Sequence, residues 1–200
     1  MQTHYDAIII GAGPAGATAA ILLARAGWSV AVLEKQSFPR RKVCGECIAA
    51  PNLALLEALG VGGMFSELAG PELRKVALMC GDDVIVADLP PLLHGSQQWG
   101  RALGREYLDS LLVERATPVG ASIWQPWTAR AVRGQPGAFE CDAKMTDSSQ
   151  AATFTAPVLI AAHGSWELAP SVEALRRPQP GFCDVRPSSR TTATLIALPY

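Results

Sequence analysis

The chain has 200 residues, 49% of them hydrophobic, and its 17 basic and 18 acidic residues leave a net charge of −1. At roughly 100–200 residues per domain this is one domain or slightly more, long enough to bury a sizeable core. A charged fraction of only 18% excludes a disordered polyelectrolyte, and the near-neutral balance gives no electrostatic footprint for nucleic acid.

No stretch reaches the roughly 20 apolar residues of a membrane span. The longest candidate, Ala7 to Leu33, is broken by Gly11, Gly13, Pro14, Gly16 and Arg25. The N-terminus lacks the basic region and apolar run of a secretory peptide. The five cysteines are odd in number and spread from Cys44 to Cys183, which is not the pattern of a secreted disulfide framework. A reducing, cytoplasmic setting is the expectation.

Tyr5 to Ile10 is an Ile-rich apolar run that reads as a buried parallel strand. Gly11-Ala12-Gly13-Pro14-Ala15-Gly16 follows as a full G-x-G-x-x-G, then Ala17 to Ala26 as a helix ended by Gly27. Trp28 to Leu33 is a second strand, with Glu34 at its end, 23 residues after Gly11. Each part has a physical task. Gly11 permits the tight turn, Gly13 lets backbone approach a pyrophosphate, and Gly16 lets helix and strand pack closely. The helix start at Pro14 offers the unpaired N–H groups of Ala15 and Gly16 and a positive dipole end to phosphates. Glu34 can accept hydrogen bonds from ribose hydroxyls and disfavours a 2′-phosphate, so NADP is not expected there. This spacing predicts a dinucleotide site, and NAD and FAD fit it equally.

The next segment, Lys35 to Cys47, carries Lys35, Arg40, Arg41 and Lys42 with Pro39 and Gly45. It has neither helix nor strand periodicity and reads as a loop. Its basic groups can reach cofactor phosphates, or form a solvated cationic face.

At this point the chain resembles a known family. The glycine motif with Leu33-Glu34-Lys35, followed by Phe38-Pro39-Arg40-x-Lys42-x-Cys44-Gly45-Glu46, is similar to the N-terminal half of FAD-dependent oxidoreductases of the p-hydroxybenzoate-hydroxylase-type fold. Within it, the likeness is to the geranylgeranyl reductase-like and flavin-dependent halogenase or hydroxylase branch. The resemblance implies FAD rather than NAD, and a loop running along the cofactor through Arg41, Lys42, Cys44 and Gly45. Cys44-Gly45-Glu46-Cys47 is also a C-x-x-C. A redox pair and a metal half-site are alternatives to the flavin-loop reading, although no second ligand pair stands at metal spacing.

Leu53 to Leu59 reads as a short helix closed by Gly60, and the glycine-rich stretch from Gly60 to Gly70 as irregular. Glu72 to Cys80 and Val84 to Leu89 read as a hairpin turning at Gly81-Asp82-Asp83. Arg105 to Ala116 is a clear helix, with Leu108, Leu111, Leu112 and Ala116 as its apolar stripe. Arg101, Arg105 and Asp109 recur at spacing four and are expected to share a face. Arg105 with Asp109 is either a surface pair or, by the family's R-x-x-x-D, a pair whose arginine points at the cofactor. Ala121–Trp124, Thr128–Arg133, Ala138–Met145 and Ala151–Thr155 read as short antiparallel strands. Val158–Ala162 is an apolar strand ending at His163-Gly164. The family places its second flavin motif there, usually Asp-Gly; His163 stands in place of the acid, and a plain strand-end histidine is the alternative.

From Glu167 the patterning fails: residues 165–200 hold five prolines and seven Ser or Thr. The expectation is a Rossmann-like α/β FAD/NAD(P)-binding domain, a central parallel sheet with inserted β-strands, over residues 1–166. It is incomplete, and residues 167–200 form an irregular tail that reads as a frame-disrupted remnant. The implied function is flavin redox chemistry, monooxygenase- or reductase-like, on a small organic substrate, with NAD(P)H as candidate electron donor. Two alternatives are a non-catalytic FAD-binding fragment or subunit needing a partner chain for the missing half, and an NAD-dependent dehydrogenase. No catalytic acid or base is nominated; His4, His94 and His163 are too dispersed.

Overall fold

The computed structural model describes residues 2–42, 46–93 and 97–164 and the backbone of 171–172. In chain order the elements begin β1 (Gln2–His4), β2 (Ala7–Ile10), α1 (Pro14–Arg25), β3 (Val30–Leu33), β4 (Cys47–Ile48), α2 (Ala50–Leu59) and α3 (Gly62–Leu68). They continue with β5 (Lys75–Cys80), β6 (Asp83–Asp88), β7 (Arg101–Ala102), α4 (Arg105–Ala116) and β8 (Ala121–Trp124). The last are β9 (Trp127–Gln135), β10 (Ala138–Met145), β11 (Ala151–Ala156), β12 (Val158–Ala161) and β13 (Ser171–Val172). They form two compact units: one runs to Ser37 and resumes at Ala116, the other spans Phe38–Arg115.

The first unit is a two-sheet α/β structure. A four-stranded parallel sheet has the order β12-β2-β3-β8, with Ile8 opposite both Leu159 and Ala31. Its centre, Ala7–Ile10 and Val30–Leu33, is buried at every position, as a strand covered on both faces must be. On one face α1 buries Gly16, Ala17, Ala20, Ile21 and Ala24; these small side chains at helical spacing let the helix lie close to the strands. The other face meets a mainly antiparallel sheet of order β1-β11-β10-β9-β13. There Ile8, Ile10, Ala31 and Leu33 share one core with Phe139, Cys141, Ala143 and Phe154. Trp124, Trp127 and Phe154 meet edge to face at centroid distances of 5.0–6.1 Å. The strand starts are pinned by Asp6, whose carboxylate accepts both the backbone N–H and the hydroxyl of Ser29 at 2.7 Å. That hydroxyl bond is the main reason the Asp6 carboxyl lies below its ordinary range.

The second unit holds α2, α3 and α4 with two small sheets, β4–β7 and β5–β6. α2 ends on Gly60 at φ 80°, a left-handed turn that favours glycine. Three expectations need correction. Gly60 to Gly70 is not irregular: α3 fills it, because Phe65 is buried and both glycines, Gly62 and Gly63, lie at the helix start. β8 is parallel, paired with β3, because alternation fixes which face a strand buries but not its partner. Arg101 does not share a face with Arg105 and Asp109. It lies on β7, and its guanidinium donates to the carbonyls of Ser66, Ala69 and Gly70 at 2.7–3.0 Å, closing the C-terminal end of α3. The irregular tail read over residues 167–200 lies outside the described residues, apart from the backbone of 171–172.

The core makes one thiol inert. Cys141 is fully buried, and burial pushes its pKa up to about 12, whereas Cys47 and Cys80 are exposed. Brief iodoacetamide treatment of the folded chain is expected to modify Cys47 and Cys80 while Cys141 reacts only after denaturation, as read by peptide mass spectrometry. Equal labelling of all three would contradict this core.

Candidate functional site: the C-terminal edge of the parallel sheet

All four strands of the parallel sheet run the same way, so Gly11, Glu34, Trp124 and Ala162 emerge at one edge, where open α/β sheets bind ligands. The turn after β2 is woven into both neighbours. Gly11 N–H donates to Leu33 O at 2.8 Å, and Ala162 N–H donates to Ile10 O at 2.8 Å. Gly11 has φ +100°, and a Cβ there would lie 2.5 Å from Ala162 O. A Cβ on Gly16 would collide with Gly11 O. Both glycines are therefore required by the fold, as their motif positions predict. Gly13 differs: its φ −66° and ψ −177° suit any residue, so its backbone conformation does not by itself demand glycine.

Helix α1 begins at Pro14, with Gly13 as N-cap; no side chain caps it, and its first turn holds no acid. Its positive end is thus capped by no side chain and faces no acid of its own first turn. Glu34 is buried beside it. Oε2 accepts Ala12 N–H at 2.9 Å and Oε1 accepts Gln36 N–H at 3.0 Å. Lys35 O accepts the Thr146 hydroxyl at 3.1 Å. His163 follows Ala162 against the glycine turn, its Nδ1 3.0 Å from Gly164 O. The first unit therefore brings together Gly11, Gly13, Pro14, Ala15, Gly16, Glu34 and the His163-Gly164 strand end.

The second unit holds the other nominated residues. Arg105 donates from Nε and Nη2 to the two oxygens of Asp109 at 2.7 and 2.9 Å, and Asp109 is fully buried. Arg41 is 93% exposed and bonds Glu106 at 3.0 Å. Lys42 is half-buried. Cys44 and Gly45 lie outside the described residues, so the C-x-x-C is seen only at Cys47. Arg40, read only as one of the loop's four basic residues and as part of its Phe38-Pro39-Arg40 motif, has its guanidinium over the Phe38 ring and 3.6 Å from Asp109. Among the described residues no group of three or more His, Cys, Asp or Glu is arranged to hold a metal ion, and no helix is long and apolar enough to cross a membrane.

The chain matches the family model for the FAD binding domain over residues 4–191. Menaquinone reductase of Mycobacterium tuberculosis is 46% identical over 118 residues, 59% of this chain and 28% of that protein. Digeranylgeranylglycerophospholipid reductase of Methanoculleus marisnigri is 30% identical over 171 residues, 82% of this chain and 40% of that protein. Among solved structures, p-nitrophenol 4-monooxygenase of Pseudomonas putida shares the fold with TM-score 0.72 at 19% identity, over 82% of this chain and 42% of that one. The myxobacterial chondrochloren halogenase does so with TM-score 0.71 at 19% identity, over 85% and 39%. The chain thus spans less than half the length of each of these relatives.

Glu34 ties the turn to the strand end through two charge-assisted bonds of about 1.5–3 kcal/mol each. Glu34→Gln keeps one acceptor and turns an NH₂ group toward an N–H donor. Urea denaturation is expected to show a loss of about 1.5–3 kcal/mol, and an unchanged midpoint would sink this account of the buried acid.

Proposed function

The chain belongs to the FAD binding domain family, and on that premise we propose that it is the cofactor-holding part of a flavin-dependent oxidoreductase, monooxygenase- or reductase-like, acting on a small organic substrate. The observation that carries the reading is the uncapped start of α1 beside the buried carboxylate of Glu34. An anion at the helix start and a hydroxyl at Glu34 are what a dinucleotide supplies at that spacing. FAD, when bound, supplies the redox chemistry. The protein's part is to bind and orient it. Gly13, Pro14, Ala15 and Gly16 present backbone to the diphosphate while Gly11 sets the turn. Glu34 accepts from the ribose. Lys35 supplies positive charge, and Arg41, Lys42 and Arg105, which belong to the second unit, enter from the family resemblance alone. The His163 imidazole can hydrogen-bond a hydroxyl without adding a fixed negative charge. Cys44 and Gly45 enter from the family pattern of the loop alone. NAD(P)H is the candidate electron donor, and relatives named as reductases and a monooxygenase support both branches of the chemistry.

The visible spectrum of the purified chain, incubated with FAD and then desalted, tests the reading. A retained yellow flavin is expected. Gly13→Val is expected to weaken retention by on the order of a hundredfold, about 2.7 kcal/mol, with its circular dichroism unchanged. A colourless chain after incubation would overturn the proposal.

A second reading, a unit that works with a partner chain, is favoured by β5–β6. Val76, Leu78, Met79, Val84, Ile85 and Val86 are 51–72% exposed, and among the described residues neither outer edge of the hairpin is paired. Exposed apolar strands with open edges are association surfaces. Leu78 and Ile85 face each other across the hairpin. The double substitution Leu78→Lys with Ile85→Lys is expected to reduce self-association of the isolated chain in sedimentation analysis while FAD uptake stays as it was. Unchanged association would remove the hairpin as the contact surface.

A further inference from the structure

The buried carboxylate of Glu34 is held between two backbone donors that are not equally secured. Ala12 N–H belongs to the glycine turn, which is packed against Ala162. Gln36 N–H belongs to a bend of two exposed residues, Lys35 and Gln36, beyond the end of β3. That N–H shares a planar peptide unit with Lys35 C=O, so fixing the carbonyl fixes the direction in which the N–H points. The carbonyl is fixed by Thr146, whose hydroxyl donates to it at 3.1 Å. Thr146 and the Glu34 carboxylate thus grip the two ends of one peptide plane. Thr146 is itself well held. It follows β10, where the chain reverses through Asp147 at φ 58°, and its N–H donates to Pro126 O at 2.8 Å. Its Oγ1 stands 3.3 Å from Thr128 Oγ1. A hydroxyl has a single proton. With that of Thr146 given to Lys35 O, Thr128 is the donor of the pair, and a chain of donors runs from Thr128 through Thr146 and the Lys35–Gln36 peptide to Glu34. Such chains polarise one another. All of these groups belong to the first unit.

We propose that Thr146 is a positioning residue: by holding Lys35 O it orients the Lys35–Gln36 peptide, and through that peptide the Glu34 carboxylate, for the hydroxyls of a ribose. The inference rests on the dinucleotide reading of Glu34 above. Glu34 is placed along the strand by its own ladder bonds to Trp124 and Trp127, and these leave the rotation of its carboxylate to the donors that meet it. Thr146 acts on one of those donors.

Thr146→Val keeps the branched shape and removes the hydroxyl, whereas Thr146→Ser keeps the hydroxyl. Calorimetric titration of the full chain with ADP and with 2′,3′-dideoxy-ADP, which lacks both ribose hydroxyls, isolates the ribose contribution as the ratio of the two affinities. Thr146→Val is expected to lower that ratio about fivefold, the effect of one net hydrogen bond, by weakening ADP while the dideoxy nucleotide binds as before. Thr146→Ser is expected to restore the ratio. Amide hydrogen exchange reads the same link without a ligand: in Thr146→Val, Gln36 N–H is expected to exchange about tenfold faster while Glu34 N–H, in the sheet ladder, stays as slow as before. An unchanged ratio overturns the positioning role. Equal weakening of both nucleotides also overturns it, by showing a purely structural effect. Should Thr146→Val fail to fold, Thr128→Val, which removes the donor to Thr146, is judged by the same outcomes. An unaltered chain that binds the two nucleotides equally, or neither, overturns the ribose reading of Glu34. Gln36 exchange then decides alone whether Thr146 orients the peptide, and unchanged exchange overturns that as well.

Discussion

The close approach of the glycine turn to its neighbours is the constraint on which the sheet edge depends. Gly11 has room for no side chain because Ala162 O lies where its Cβ would be, and Gly16 has none because Gly11 O does. The turn is thus set by two backbone collisions that glycine alone avoids. Glu34 then fastens it. Its main chain continues the sheet, donating to Trp124 O at 2.9 Å and accepting Trp127 N–H at 2.7 Å. Its side chain turns back to Ala12. Burying a carboxylate is costly, and two backbone donors offset that cost. The same donors hold the acid beside the start of α1.

The two faces of the parallel sheet solve different packing problems. The α1 face is built from alanines and one isoleucine, which permit close approach. The opposite face must fill the gap to a second sheet, and it does so with Trp124, Trp127, Phe139 and Phe154. Trp124 is only partly buried, and its indole N–H finds Tyr5 Oη at 3.2 Å, as an aromatic with one polar atom requires.

Much of this was legible in the sequence, and the reasons are local. β2, α1, β3 and α4 announce themselves because an unbroken apolar run, a glycine turn and a 3.6-residue stripe each follow from a single element's own burial. Leu108, Leu111, Leu112 and Ala116 are buried as that stripe requires. What was not legible depends on partners far away in the chain. Nothing in Ala121–Trp124 says that its neighbour is Val30–Leu33 rather than the strand that follows it. Nor does Arg101 reveal that its donors belong to carbonyls some thirty residues earlier. α3 was hidden by Gly62 and Gly63, which depress helix propensity but lie at its first turn. Likewise Lys35, Arg40, Arg41 and Lys42 look alike in sequence. Consecutive residues of an irregular loop point in different directions, so Arg40 is largely covered and Arg41 is at the surface.

The two buried acids among the described residues, Glu34 and Asp109, make the point in chemical terms. Each is flanked by an ordinary motif that predicts its presence, and neither motif predicts its partners. Glu34 binds backbone N–H groups, so its geometry is set by the fold, and its loss acts first on the fold. Asp109 binds only side chains, one from its own helix and one from the preceding loop. Its loss would leave the backbone ladder untouched and remove one anchor from each of two arginines. Removing one partner of a buried ion pair leaves the other charge uncompensated, so the loss of Asp109 acts first on its two arginines. The consequence of Asp109 therefore falls on the loop and the helix whose arginines it joins, whereas that of Glu34 falls on the sheet edge itself.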